Sequence, residues 1–236
     1  DYAYSLLLDA APPALREWMG ARKPLVLQLI AEEVIEAKDP ELREQLDQVM
    51  VLREKASPED LAFARAADKG METMFAAEAE RRGYTVPEAF LGDVIHMMKK
   101  VRPLVEGRKM GTRRPRPVDV AYAYGLPWRP YETTTSDTWS YPSGHAWDAW
   151  MVGRAFQQLT GDQAFEDLAE RIALGRVQLG LHFADDVEAG IDFADRGYRG
   201  KWFKHFEPYA PQEPAGLTFV EETGEFASTY REIEQP

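Results

Sequence analysis

The sequence predicts an all-helical fold, one helical bundle over residues 1–236 with a long irregular segment ahead of the helix that starts at Ser143. Three observations lead there. Apolar residues recur at helical spacing along most of the chain. Asp or Ser followed by Pro marks the start of two of these runs, and the spacing disappears between Pro103 and Pro142. At 236 residues with 44% apolar content, the chain is long enough for one well-buried domain and too apolar for a disordered one.

Taken in order, residues 22–37 read as a helix. Asp39-Pro40 then places a cap and a proline in the first turn of a helix carrying Leu42, Leu46, Val49 and Leu52 on one face. Ser57-Pro58, with Asp60 three residues after the cap, opens a second amphipathic helix through Leu61, Ala64, Ala67, Met71, Met74 and Phe75. Residues 87–101 form another, in which Met97 and Met98 serve as core filler. From Pro103 to Pro142, Pro, Gly, Thr and aromatic residues fit no helix, and an irregular stretch of that length in a compact domain is usually functional. Helical spacing returns at 143–159, 162–179 and 184–203. Residues 207–236, rich in Pro and Glu, read as an extended C-terminal tail. No internal repeat or low-complexity segment is visible.

A net charge of -12 and a pI near 4.9 argue against broad binding to nucleic acid or anionic membranes, so any anion site must be a local basic pocket. No apolar run approaches the roughly 18 to 20 residues needed to cross a bilayer. With no cysteine there is no thiolate chemistry and no Cys-based zinc site. The chain begins at Asp1 without a basic then apolar leader pattern, which leaves the compartment open, and a homo-oligomer is compatible with the sequence.

Against this acidic background three short stretches stand out: Lys109 with Arg116-Pro117, Pro142-Ser143-Gly144-His145, and Arg176 with His182 and Asp186. Ser143-Gly144-His145 falls where a loop ends and a helix begins, so backbone N–H groups at the positive end of a helix dipole are offered to an anion. Gly144 permits close approach of a ligand, and Ser143 adds a hydroxyl. Taken alone, Ser143 would be an ordinary N-cap. Lys109, Arg116 and Arg176 can neutralise a phosphate, the guanidinium groups in bidentate fashion, although any one of them in isolation would be read as a solvated surface charge. His182 and Asp186 are four apart, so on one helical turn the carboxylate can fix the imidazole tautomer and leave the other nitrogen as a nucleophile. On a continuous helix Arg176 would point about 240° away from His182. A bend near Gly180 would bring the two together. His96 and His205 have no such partners and read as structural. Glu32-Glu33 and Asp185-Asp186 lack a histidine at zinc spacing, so no metal site is expected.

The spacing K-x6-RP, PSGH, R-x5-H-x3-D resembles the three-part signature of the type 2 phosphatidic acid phosphatase (PAP2) superfamily, which also contains the class A bacterial acid phosphatases and the vanadium haloperoxidases. The likeness covers a motif core at residues 109–186. The SYPSGH run at Ser140–His145 is especially similar to the class A acid phosphatases. The absence of an apolar span sets the chain apart from the multi-pass lipid phosphatases. Arg102-Pro103 mimics the first motif but has Ile95 where lysine is required, and the pattern gives Arg113 and Arg114 no role. Gly175 stands where the superfamily usually has serine.

The resemblance implies an all-helical PAP2/haloperoxidase-type bundle and a metal-independent phosphomonoester hydrolase with no cofactor. In it His182 attacks phosphorus to give a phosphohistidine, and Asp186 orients that imidazole. Lys109, Arg116, Arg176 and the backbone at Ser143 and Gly144 hold the phosphate oxygens, and His145 protonates the leaving oxygen. Phosphate or vanadate would occupy the pocket, and the partner would be a small-molecule phosphate ester rather than nucleic acid. The resemblance alone suggests a periplasmic or secreted location. Two other readings use the same pocket: a vanadium haloperoxidase, with His182 ligating vanadate, and a non-catalytic phosphate-binding protein. Trp128, Tyr131, Trp139, Tyr141 and Trp147 around the second motif fit either stacking on an aryl or base leaving group or packing of the loop.

Overall fold

The computed structural model describes residues 39–211 apart from 129, 132 and 134–137. The expected helix at 22–37, Glu32-Glu33 and the tail beyond 211 lie outside the described residues. Among the described residues there are helices and no strands. None of these helices is long and apolar enough to cross a membrane.

The first helix among the described residues, α1, spans Pro40–Lys55, capped by Asp39, whose side chain accepts from the Glu41 N–H at 2.8 Å. α2 spans Pro58–Ala67 behind a capping box formed by Ser57 and Asp60. The periodicity that ran on to Phe75 conceals a break. α2 ends at Asp68, and α3, Met71–Arg81, begins after Gly70. Ala64, Ala67, Met71 and Phe75 are all buried, so both helices bury apolar faces and one stripe continues across the interruption.

α4 requires a larger correction. It spans Glu88–Thr112 and runs through Pro103, so the helix expected to end at residue 101 carries Lys109 in its last turn. Proline inside a helix costs about 3 kcal/mol or more. Here Val94, Met97, Val101, Val105 and Lys109 maintain one buried stripe past it, and apolar burial worth about 1.5 to 3 kcal/mol per side chain outweighs the lost hydrogen bond. Arg113 ends the helix in the left-handed conformation and donates its N–H to Lys109 O. The short α5, Pro117–Ala123, follows. Helix therefore takes up residues 103–112 and 117–123 of the stretch expected to be irregular.

α6, Gly144–Thr160, is buried along most of its length and packs against α3, α4, α7 (Ala164–Gln178) and α8 (Ala184–Gly197). The chain continues from α8 through a π-helical turn at Tyr198–Trp202, α9 at Phe203–Phe206 and a 3-10 turn at Glu207–Tyr209, so the first residues assigned to an extended tail are still helical. Phe75, Phe90, Phe156, Phe165 and Phe206 fill the main core, with Phe90 meeting Phe156 edge-on at 5.0 Å between ring centres. This packing fixes the N-terminus of α6 opposite the C-terminal ends of α4 and α7.

Gly175 has a steric explanation. A Cβ there would lie 2.7 Å from the Ala64 Cβ, so the α2–α7 contact leaves no room for a serine side chain.

Candidate active site

The bend anticipated near Gly180 is present. α7 stops at Gln178, Gly180 turns the chain with φ of 75°, and α8 starts at Ala184. Arg176 thus sits in the last turn of α7, and His182 lies in the connecting turn, ahead of α8. Asp186 occupies the third position of α8. The pair meets across a helix start, rather than along one helical turn as its spacing suggested.

Around His182 the contacts form one closed set. Its Nδ1 lies 3.4 Å from Asp186 Oδ2 and 3.4 Å from Ser140 Oγ. Asp186 Oδ2 also accepts from the Ser140 hydroxyl at 2.5 Å and from the Phe183 N–H at 2.9 Å, while Arg114 Nη1 donates to Oδ1 at 2.9 Å. Burial raises the Asp186 carboxyl above its ordinary value, opposed by Arg114, Ser140 and the Phe183 N–H. On the other side of the ring, Nε2 lies 3.4 Å from Arg116 Nη1. With the Ser140 hydroxyl donating to Asp186, Nδ1–H is directed at Ser140 Oγ beside the carboxylate, and the Nε2 lone pair faces the cations. Burial, then Arg116 and Lys109, lowers His182 well below its usual value, which favours the neutral imidazole.

Lys109 and Arg116 converge on the same cleft from α4 and from the cap of α5, together with Gly144, His145 and His182. Lys109 Nζ donates to Trp139 O at 2.5 Å, and Arg116 donates to Thr138 O at 2.5 Å and Leu181 O at 2.7 Å. Burial followed by the Arg116 charge lowers Lys109 to about 8. Arg102, set aside in the sequence because its motif is incomplete, also lines the cleft. It pairs with Glu106 at 3.1 Å and with Asp148 at 3.7 Å.

Ser143 differs from expectation. Its hydroxyl accepts from the Ala146 N–H at 3.3 Å, and its own N–H donates to Asp186 O at 2.8 Å, so it acts as the N-cap of α6 and its backbone donor is already used. Among the described residues, the N–H groups of Gly144 and His145 have no acceptor and are the donors left for an anion. A Cβ on Gly144 would rest in ordinary contact with Val105 and Lys109 Cε. Packing alone therefore does not demand glycine there, and open backbone on the cleft side is what it contributes.

His145 Nε2 lies 3.1 Å from Asp68 Oδ1, and Arg176 Nη1 donates to the same oxygen. Thr133 Oγ1 donates to Oδ2 at 2.7 Å. Burial lowers His145, partly offset by Asp68. Burial works to raise Asp68 as well, yet His145, Arg176 and Thr133 together hold it below the usual carboxylate range.

The structure thus brings Lys109, Arg116, Gly144, His145, Arg176, His182 and Asp186 into one constellation. Sequence reasoning missed Asp68, Arg114 and Ser140. Ser140 lies within the SYPSGH run and Arg114 two residues before Arg116, so both were within reach, whereas nothing near Asp68 signals a site. Four of the flanking aromatics make packing contacts: a Cβ on Gly180 would strike the Trp128 ring at 2.7 Å, Tyr131 packs against the cluster of Ala64, Leu179 and Leu181, and Trp147 and Tyr141 meet Phe193. His205 pairs with Asp93 at 3.3 Å and His96 meets the Trp202 ring edge-on, both outside the constellation. No cluster of His, Asp or Glu able to hold a metal occurs among the described residues.

No protein-family model matches the chain, and no curated protein matches it.

Proposed function

We propose that the protein is a phosphoric monoester hydrolase of the acid phosphatase type, working through a phosphohistidine on a small-molecule phosphate ester, within the PAP2 superfamily that its motifs resemble. One observation carries this reading: a buried His182, with Nδ1 against Ser140 Oγ and Asp186, turns Nε2 toward Arg116 in a cleft that also contains His145. A phosphate-binding protein needs cations and N–H donors. It has no use for a buried, oriented imidazole beside a second imidazole.

In this mechanism Lys109, Arg116 and Arg176 with the Gly144 and His145 N–H groups hold the phosphate oxygens. The His182 Nε2 lone pair forms the N–P bond as the bond to the leaving oxygen breaks, and His145 supplies the proton that oxygen needs. His145, now neutral, takes a proton from water as water attacks phosphorus, releasing phosphate and restoring His182. Side-chain cations supply the transition-state charge, so turnover is expected to survive chelation. Catalysis requires His182 unprotonated and His145 protonated. Both are lowered, His182 the more strongly, which puts the working window on the acid side of the ordinary histidine value of about 6.5.

The test is phosphate release from a panel of phosphomonoesters, diphosphates and nucleotides in EDTA, by wild type and by His182→Ala. Hydrolysis with an acidic optimum, competitive inhibition by vanadate and loss in His182→Ala are expected. Fast bromination of a reporter dye by vanadate-loaded protein with bromide and peroxide, alongside negligible hydrolysis, would identify a haloperoxidase instead.

A further inference from the structure

The phosphatase reading leaves open what holds the leaving-group acid His145 and the phosphate-binding Arg176 in place. We propose that Asp68 is a positioning residue that sets His145 and Arg176 relative to each other through one shared carboxylate oxygen. This inference rests on the phosphatase reading for its consequences in catalysis, though not for its geometry.

Asp68 lies at the C-cap of α2, far in sequence from the motifs, with its side chain 16% exposed. Oδ1 receives both His145 Nε2 and Arg176 Nη1, and Oδ2 is fixed by the Thr133 hydroxyl. Three contacts on one short side chain leave it little rotational freedom. Two consequences follow. First, with Nε2–H directed at Asp68, Nδ1 is the nitrogen that can pass a proton to the leaving oxygen. After transfer the ring is neutral and still held at Nε2–H, so the proton count closes without Asp68 changing state. Second, the carboxylate opposes the cations that surround His145. These are Arg176 from α7 and Arg102 from α4, with Lys109, Arg116 and His182 lining the same cleft. Glu106 of α4 also faces that cleft. Without Asp68 the ring would meet mostly positive charge and would lose the proton it must donate.

A residue that merely packs the end of α2 would affect stability and nothing else. The decisive readout is therefore the histidine ring titration followed by NMR in the full chain, whose four histidines are assignable by single substitution. In wild type, neutral His145 is expected as the Nε2–H tautomer. In Asp68→Asn its titration is expected to fall by about one pH unit or more. Turnover of an alkyl phosphate should drop about tenfold or more, that of p-nitrophenyl phosphate much less, and the alkaline limb of the pH profile should move to lower pH. Asp68→Glu, which retains the charge, should restore part of each effect. If Asp68→Asn fails to fold, the wild-type tautomer and the Asp68→Glu titration still decide the matter. An Nδ1–H tautomer in wild type, or an unchanged His145 titration in a folded variant, overturns the proposal. So does an Asp68→Asn enzyme faster than wild type, since the carboxylate would then be competing with substrate for Arg176. A shifted titration in a protein that hydrolyses no phosphate ester would instead leave the positioning role standing and sink the phosphatase reading.

Discussion

The two imidazoles of the cleft are held in different ways. His182 Nδ1 lies against Ser140 Oγ and Asp186, a buried carboxylate four residues away that is itself held by Ser140, Arg114 and the Phe183 N–H, all contributed by the motif region. His145 is oriented by a carboxylate at the end of α2, a helix outside that region, and the neighbouring buried charge is incompletely satisfied. Asp148, three residues after His145 on α6, has one carboxylate oxygen with no partner and its nearest cation, Arg102, at 3.7 Å. In the proposed reaction this contrast matches the two tasks. A nucleophile must be aimed at one phosphorus atom, while a leaving-group acid must adjust to differing substrates.

The sharpest break between the two sides is chemical. His145→Ala should lower turnover of alkyl phosphates about 100- to 10,000-fold, because an alkoxide leaves poorly without a proton, and should affect p-nitrophenyl phosphate far less. Steady-state kinetics on both substrates checks this. Equal losses would mean that His145 is no acid and that the two sides share one role.

The nucleophile side should be the costlier to disturb in stability. Arg114→Ala removes a cation from the buried Asp186 carboxylate, and losing one partner of such a pair is expected to destabilise by about 3 kcal/mol. Denaturant unfolding measures it, and a change below about 1 kcal/mol would mean that Ser140 and the Phe183 N–H hold the carboxylate unaided.

On the acid side the sign reverses. Burial pushes Asp148 up to about 7. Its folded value lies above its unfolded one, so the native chain retains a proton that the unfolded chain has lost. Its contribution is fully present below about pH 4 and disappears as pH rises toward 7. Asp148→Asn should therefore stabilise the protein by between about 1 and 4 kcal/mol at pH 8 and leave it unchanged near pH 4, as read from unfolding curves at both pH values. Destabilisation at pH 8 would show that Arg102 satisfies the carboxylate after all.

The same division explains what the sequence could convey. Helix starts at Asp39, Ser57 and Ser143 were legible because capping is local chemistry, and the Gly180 bend followed from Arg176 and His182 being unable to share a face. The course of α4 through Pro103 was obscured because a strong local breaker was weighed against a buried stripe whose value depends on α6, which only tertiary packing supplies. Gly70 concealed the opposite error, since the apolar stripe continues while the helix does not. Ser140 and Arg114 lay inside or beside a motif. Asp68 carries no local signal, because its role arises from the packing of α2 against α7 and no spacing rule encodes that contact.

The central claim is that His182 Nε2 becomes covalently phosphorylated. Rapid mixing of wild-type protein with labelled substrate, followed by quenching within one turnover, should yield a phosphoenzyme that is stable in base, labile in acid, located at His182 and absent from His182→Ala. Sustained hydrolysis with no trapped phosphoenzyme, or one located at any other residue, would contradict it.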